Sequence, residues 1–188
     1  MLSRLPQSRL YPMLLLTLLV LAVFGTTLGH GFVWDDRTFV IYKEAYRNFD
    51  LVTILFSLKT NDLEYLPVRD LTYVIDFALW GQSAAGFHFS NLAWYWLNVI
   101  AVFFLSSKLA ALLREKITDC LQSDDSPVIG LFAAALFAVH PIHCETVNFI
   151  TCRNALVSGA FFFISCFCYL QYLTSSSKKQ WILPRRWS

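Results

Sequence analysis

Residues 10–29, LYPMLLLTLLVLAVFGTTLG, decide the fold because 20 consecutive positions carry no charged side chain. A helix needs about 20 predominantly apolar residues to cross a bilayer. Arg4 and Arg9 precede the stretch, and basic residues before a first span favour a cytoplasmic N-terminus. A cleaved signal peptide is the alternative, but residues 25–28 form a poor cleavage site. The stretch therefore predicts a retained first transmembrane helix.

The composition of the whole chain supports a membrane protein. Of its 188 residues, 56% are hydrophobic and only 15% are charged, which is too apolar for an ordinary soluble domain. The net charge of +2 provides no basic field for nucleic acid. The five cysteines are odd in number and lack paired metal-ligand spacing, so neither a disulfide framework nor a zinc site is predicted.

Three further apolar stretches predict an all-α membrane protein with about four transmembrane helices. The spans are placed at residues 10–29, 89–107, 126–145 and 154–174, with a membrane domain over 1–174 and a cytoplasmic tail at 175–188. The segment between the first two spans holds five basic and eight acidic residues, whereas the predicted inner segments hold Arg4, Arg9, Lys108, Arg114, Lys116, Lys178, Lys179, Arg185 and Arg186. The positive-inside rule therefore predicts that both termini lie in the cytoplasm.

The third stretch is short, because only residues 126–139 are continuously apolar. Fourteen helical residues cover about 21 Å, whereas the hydrocarbon core is about 30 Å thick. One interpretation continues the helix through His143 and Glu145. The other places these polar residues at membrane depth, where they would face a cavity or the interior of a helix bundle.

The first outer loop, residues 30–88, is too long to be a simple connection and predicts two helices. Asn48 or Asp50 is the candidate N-cap of a short helix that continues through Leu58. Pro67 favours the first turn of a second helix. Apolar residues between Leu71 and Leu79 form a stripe along one side of this helix, which is typical of a helix lying along a membrane surface. The other side carries Arg69, Thr72, Tyr73 and Asp76.

Charged residues near the outer ends of the spans are the candidates for chemistry. Asp35 and Asp36 directly follow the first span, where an acidic pair can act as a general base, hold a metal, or simply cap a helix. Arg69, beside Asp70, suits bidentate contact with a phosphate, although an interfacial arginine can also meet lipid headgroups. Arg153 at the mouth of the last span either snorkels to the interface or binds an anionic lipid head.

A histidine-rich segment follows the third stretch and contains His140, His143 and Glu145. Its spacing does not match the zinc-protease helix pattern, so no metal site is predicted there. Hydrogen-bonded polar residues that line a cavity are the favoured interpretation of this segment.

Four sequence blocks, taken together and in order, resemble membrane glycosyltransferases of the GT-C type. The similarity is greatest to O-mannosyltransferase-like proteins that carry tetratricopeptide repeats after their membrane domain. The blocks are FVWDD at residues 32–36, LPVRDLTY at 66–73, GFHFSNL at 86–92 and HPIHCETVNFITCR at 140–153.

The resemblance implies a GT-C-like fold, a reaction and roles for named residues. Such enzymes transfer a sugar from a polyprenyl-phosphate carrier to an acceptor hydroxyl of a protein or glycan on the non-cytoplasmic face. Carried onto this sequence, it makes Asp35 the first candidate for the catalytic base and Asp36 the second. Arg69 and Arg153 become candidates for binding the carrier phosphate. The candidate cavity-lining residues are Asp70, His88, His140, His143 and Glu145.

Three departures from the family pattern accompany the resemblance. Asn154 follows Arg153 where the family commonly has an acidic residue shortly afterwards, and Leu66 precedes Pro67 where arginine is usual. Family members also have many more spans and carry the repeats. The chain is therefore expected to be the N-terminal portion of a larger enzyme.

Two other classes of function are compatible with the sequence. A non-catalytic membrane scaffold or truncated remnant would retain the fold without the chemistry, and a small transporter would explain histidines near a short span. The cofactor is unknown, with a divalent metal as one alternative, and the expected partners are the lipid-linked sugar, membrane lipid and the acceptor. Because the outer loop has no Asn-X-Ser/Thr site, a bacterial inner membrane is favoured over the endoplasmic reticulum membrane.

Overall fold

A computed structural model describes residues 7–56, 64–117 and 125–176 of the chain. Within these ranges every regular element is a helix, which confirms the predicted all-α class. The α-helices are α1 Gln7–Phe24, α2 Glu44–Arg47, α3 Leu51–Phe56, α4 Pro67–Trp80, α5 Ala84–Ile117, α6 Ser126–Val139, α7 His143–Asn148 and α8 Arg153–Ser176. Short 3-10 helices at Gly25–Gly29 and Ile150–Cys152, and a π-helical turn at Arg37–Ile41, connect some of them.

Among the described residues, three segments are long and apolar enough to cross a membrane: Leu10–Gly29, Ala84–Arg114 and Ile150–Thr174. Each contains the predicted span at that place, and the second is much longer than predicted. Helix α5 starts inside the predicted outer loop and continues through residues 108–117, which the sequence indicated as a cytoplasmic loop. The chain is a membrane protein, and its described part contains one further apolar helix, α6, that is shorter than these three segments.

The predicted third span at residues 126–145 is not one helix. Helix α6 ends at Val139, His140 is extended with φ −69° and ψ 126°, and α7 starts separately at His143. Proline at position 141 explains the break, because the residue before a proline is sterically excluded from the α region. The short apolar helix of 14 residues therefore ends before the polar segment.

Helix α6 packs closely along α5 because small residues face the contact. A Cβ atom at Gly130 would lie 2.8 Å from the backbone oxygen of Phe103 and closer still to the side chain of Ser107. Ala134 and Ala138 are fully buried along the same helix. Small side chains allow helix backbones to approach one another in a membrane, where packing rather than hydrophobicity drives association.

The outer segment between α1 and α5 forms a second packed layer. Its core joins the π-helical turn, α2, α3 and α4 to the start of α5 and to Ile150; the buried members are Val40, Ile41, Tyr46, Ile54, Tyr73, Val74, Phe77, Phe87 and Ile150. Asp50 caps α3, since its carboxylate accepts hydrogen bonds from the amide and hydroxyl of Thr53 at 3.1 and 2.6 Å. The predicted continuation of α3 to Leu58 lies outside the described residues.

Helix α4 starts at Pro67 as the sequence predicts, but its polar side faces the protein. Arg69, Tyr73 and Asp76 on that side are at least nine-tenths buried, whereas the apolar Ile75 and Leu79 are 56% and 65% exposed. Apolar side chains on the outside suit contact with lipid, and the charged groups are paired within the protein. This orientation places the charged groups of α4 next to those of the spans.

Candidate active site

A cleft of about 320 Å³ contains the first candidate base and the first candidate phosphate ligand. It lies where the turn after the first span, the start of α4 and the start of α8 come together. Its lining residues are Asp35, Phe39, Glu64, Arg69, Thr151, Cys152 and Asn154. The structure therefore brings together Asp35 and Arg69, which are 34 positions apart in the sequence.

The two adjacent carboxylates, Asp35 and Asp36, have different environments. Asp36 is fully buried, and its oxygens accept hydrogen bonds from the amides of Thr151 at 3.0 Å and Val33 at 3.2 Å. Asp35 is exposed and lines the cleft. Asp36 therefore fastens the turn to the start of the last span, and Asp35 is the carboxylate that a ligand can reach.

The turn that presents Asp35 contains an unusual backbone conformation. Trp34 has φ 42°, a left-handed conformation that is rare for a bulky residue, and its side chain is 86% exposed. Residues held in such conformations cost free energy and persist where surrounding contacts impose them. The hydrogen bonds of Asp36 provide such contacts directly after Trp34.

Arg69 lines the cleft, and two acidic side chains, Asp70 and Glu64, bind its guanidinium. Its Nε and Nη2 atoms each lie 2.9 Å from Oδ1 of Asp70, and Nη1 lies 3.2 Å from Oε2 of Glu64. Burial raises the pKa of the Asp70 carboxyl, and the Arg69 guanidinium opposes that shift. The side chain of Glu64 is 59% exposed, so this half of the pairing is accessible to an exchanging anion.

Arg153 is a buried connector rather than an open surface cation. It is fully buried, its Nε donates to Asn91 at 2.6 Å, and its Nη2 donates to the carbonyl oxygen of Phe87 at 3.1 Å. Its Nη1 forms an ion pair with Asp76 at 2.5 Å and donates to Thr72 at 3.2 Å. The guanidinium thus links α4, α5 and α8, and it does not line the cleft that contains Asp35.

The five residues predicted to line a cavity lie elsewhere. None of Asp70, His88, His140, His143 and Glu145 is among the described residues that line the cleft. Asp70 lies behind Arg69, and His88 is buried 3.5 Å from the carbonyl oxygen of Gly31. His143 packs on the rings of Phe137 and Tyr95, and His140 and Glu145 are exposed.

Several residues of the site were not singled out from the sequence. Glu64 and Phe39 line the cleft without belonging to a recognisable pattern, and Thr151 and Cys152 belong to the fourth sequence block, which assigned them no role. Asp76 was placed on the polar side of α4 but not paired with Arg153. The sequence feature that indicates a buried partner for Asp76 is its position within an otherwise apolar stretch, because an acidic residue there requires a partner.

A second, more apolar groove opens beside the cleft. It has a volume of about 280 Å³ and shares Arg69 and Asn154 with the cleft. The remaining lining residues are Tyr65, Leu66, Pro67, Val68, Val157, Ser158 and Phe161, from the start of α4 and the first turns of α8. A mostly apolar surface therefore leads to Arg69, which also lines the cleft that contains Asp35.

The described ranges 7–56, 64–117 and 125–176 contain no cluster of side chains suited to a metal ion. No group of three or more histidine, cysteine, aspartate or glutamate side chains there is arranged to hold a metal ion. The divalent-metal alternative therefore has no ligand set among these residues.

Comparison with known proteins finds relatives that are named protein O-mannosyl-transferases. The chain is 27% identical over 164 residues to protein O-mannosyl-transferase TMTC3 of Mus musculus, 27% identical over 189 residues to protein O-mannosyl-transferase TMTC4 of Homo sapiens, and 28% identical over 182 residues to protein O-mannosyl-transferase Tmtc1 of Drosophila melanogaster. This chain resembles the protein O-mannosyl-transferases. The resemblance predicted from the four sequence blocks is confirmed.

The similarity to these transferases covers most of this chain and a small part of each relative. The matches span 82%, 93% and 90% of this chain but only 16%, 25% and 18% of the respective relatives. No protein-family model matches the chain, and no solved structure matches it. These relatives come from animals, so the comparisons give no support to the predicted bacterial inner membrane.

Proposed function

We propose that this chain is the N-terminal part of an integral-membrane glycosyltransferase of the GT-C type. The enzyme would move a sugar from a polyprenyl-phosphate carrier to an acceptor hydroxyl on the non-cytoplasmic face. The observation that carries the proposal is the cleft shared by Asp35 and Arg69. The names of the relatives, protein O-mannosyl-transferases, support mannose as the sugar and a protein as the acceptor.

Asp35 is the proposed general base. A hydroxyl is a weak nucleophile until a positioned base removes its proton. The carboxylate is exposed in the cleft, whereas Asp36 is buried and accepts two backbone hydrogen bonds. This difference supports Asp35 over Asp36 for contact with the acceptor.

Arg69 is the proposed ligand of the carrier phosphate. A planar guanidinium suits bidentate contact with phosphate oxygens, and positive charge stabilises the phosphate as it leaves. Its contact with the half-exposed Glu64 belongs to a weak class of ion pair, so an incoming phosphate can replace it. The neighbouring apolar groove would hold the first part of the polyprenyl chain, with the phosphate at Arg69 and Asn154.

Arg153 acts in this proposal as a positioning residue. Its ion pair with Asp76 and its hydrogen bond to Asn91 hold α4, and with it Arg69, against the spans. Asn154 faces both the cleft and the groove, where its amide can donate a hydrogen bond but cannot supply a charge.

The proposed topology keeps both termini in the cytoplasm and the segment 30–88 outside, with α6 completing an even number of crossings. The charge distribution supports it, because that segment is acidic, whereas residues 1–9 and 175–188 carry basic residues and no acidic ones. Reporters placed at residues 60, 118 and 180 should lie outside, inside and inside respectively. A cytoplasmic residue 60 would remove the proposed geometry. The animal relatives favour the endoplasmic reticulum membrane as the location.

The decisive experiment measures sugar transfer from polyprenyl-phosphate mannose by the longest natural form of the protein. Asp35→Asn should lower turnover by about 10²–10⁴-fold, the usual contribution of a general base. Asp50→Asn is the matched control, since it makes the same chemical change at an exposed N-cap where asparagine serves equally well. Unchanged turnover in both Asp35→Asn and Asp36→Asn would reject the enzyme proposal and favour the scaffold alternative.

A further inference from the structure

A third concave surface, which shares no lining residue with the cleft or its neighbouring groove, lies between the C-terminal half of α4 and the outer part of α5. Its volume is about 340 Å³. We call it the tryptophan groove; its lining residues are Thr72, Ile75, Asp76, Leu79, Trp80, Phe89, Ser90, Ala93, Trp94 and Leu97. We propose that the tryptophan groove binds a hydrocarbon chain of a bilayer phospholipid, which is distinct from the sugar carrier.

The polar groups at the floor of the tryptophan groove already have partners. Ser90 donates a hydrogen bond to Asp76 at 2.6 Å and accepts one from the indole nitrogen of Trp80 at 3.2 Å. The other carboxylate oxygen of Asp76 forms the ion pair with Arg153. A polar ligand would have to break these contacts, whereas a hydrocarbon chain needs none. The chemistry of the groove therefore selects an apolar occupant.

The wall formed by Trp80 is preformed. A Cβ atom at Gly86 would lie 2.4–2.5 Å from side-chain atoms of Trp80, so the absence of a side chain at position 86 lets the indole pack against the start of α5. The indole also meets Phe89 edge-to-face, with ring centroids 5.7 Å apart. A wall held by packing, an aromatic contact and a hydrogen bond loses little conformational freedom when a ligand binds.

The position of the groove indicates lipid as the source of the occupant. Positions 89–97 belong to the apolar segment Ala84–Arg114, one of the three that can span a membrane. The rim residues Ile75, Leu79 and Phe89 are 56%, 65% and 51% exposed, and the only charged lining residue, Asp76, is 3% exposed. The groove is thus continuous with the apolar surface of a span, and tryptophan is typical of the boundary where acyl chains meet headgroups.

The test uses the longest natural form of the protein in phosphatidylcholine vesicles that contain a trace of phosphatidylcholine with a diazirine on one acyl chain. Light-induced adducts are located by mass spectrometry. Adducts should concentrate on Trp80, Phe89 and Trp94. Ala93→Trp and Leu97→Trp, which fill the groove from two different positions, should each lower this labelling by about tenfold, equivalent to about 1.4 kcal/mol of binding free energy.

Ala22→Trp is the matched control, because Ala22 is an exposed small residue on α1 and lies outside the groove. It should leave groove labelling unchanged, and bulk-lipid labelling of the exposed Leu14 and Leu18 should be equal in all variants. Groove labelling that survives both filling variants would overturn the proposal. So would a groove that carries no adducts while Leu14 and Leu18 are labelled, since that result means that protein covers it. Neither outcome depends on sugar transfer, so the proposed function is tested separately.

Discussion

The guanidinium of Arg153 and the carboxylate of Asp76 form a buried ion pair at 2.5 Å that connects the last span to helix α4. These residues are 77 positions apart in the sequence, and no local sequence pattern predicts that they pair. Arg153 is fully buried and Asp76 is 3% exposed, so each charge depends on the other for compensation. This pair is therefore a direct charged contact between α4 and the membrane helices.

Removal of one partner of this pair should be severe. Arg153→Met should destabilise the protein by about 3–5 kcal/mol, because it leaves the buried Asp76 carboxylate without its counter-charge. The double variant Arg153→Met with Asp76→Leu should lose less than the sum of the two single losses, with a coupling of about 0.5–3 kcal/mol. Thermal unfolding in detergent micelles measures all three. Additive losses would show that the pair has no direct energetic role.

Substitutions of the two neighbouring aspartates should differ in their effect on stability. Asp36→Ala should cost about 1–3 kcal/mol of stability, since the amides of Thr151 and Val33 lose their acceptor. Asp35→Ala should change stability by no more than about 0.5 kcal/mol, as expected for an exposed side chain without such bonds. Thermal unfolding of both purified variants checks this difference. Equal destabilisation would contradict the assigned positions of the carboxylates.

Lowering the pH should increase the contribution of Asp70 to the stability of the folded protein. Burial raises the pKa of its carboxyl in the folded protein, against the opposing effect of Arg69. The contribution of a group with a raised folded pKa is fully present below its unfolded pKa, about 3.9, and is lost as pH rises through the folded value. The stability of wild type relative to Asp70→Asn should therefore increase as pH falls from 7 towards 4. Parallel pH profiles of the unfolding temperature would contradict this expectation.

The contact between α5 and α6 should be sensitive to one methyl group. Gly130→Ala places a Cβ atom 2.8 Å from the backbone oxygen of Phe103, which cannot move without shifting the helix. We expect a loss of about 1–3 kcal/mol, typical of overpacking. Gly25→Ala is the control, because no atom lies within 4 Å of a Cβ atom built there. Similar unfolding temperatures for the two variants would contradict the prediction, because they would show that the contact accommodates a methyl group at position 130 without loss of stability.

Local sequence signals predicted the helical class, the first, second and last spans, two candidate caps of α3 (Asn48 and Asp50) and the start of α4 at Pro67. Each depends on neighbours within about one helical turn, on an apolar run or on a backbone preference, and such information is present in the chain itself. The resemblance to O-mannosyltransferase-like proteins was also available from four short blocks. The extent of α6 was not predicted, because 14 apolar residues are compatible both with a longer helix and with polar residues at membrane depth.

Only the tertiary structure decided which charged residues are accessible. Asp35 and Asp36 are adjacent in an identical local sequence context, yet a hydrogen bond from Thr151, 115 positions away, buries one and leaves the other in the cleft. Arg69 and Arg153 both lie in the first turn of a helix, α4 or α8, but Arg153 is fully buried and paired with Asp76 and Asn91, whereas Arg69 lines the cleft. The sequence by itself determined where charges meet apolar helices. The folded arrangement determined which charge is satisfied by the protein, because that depends on partners contributed by distant parts of the chain.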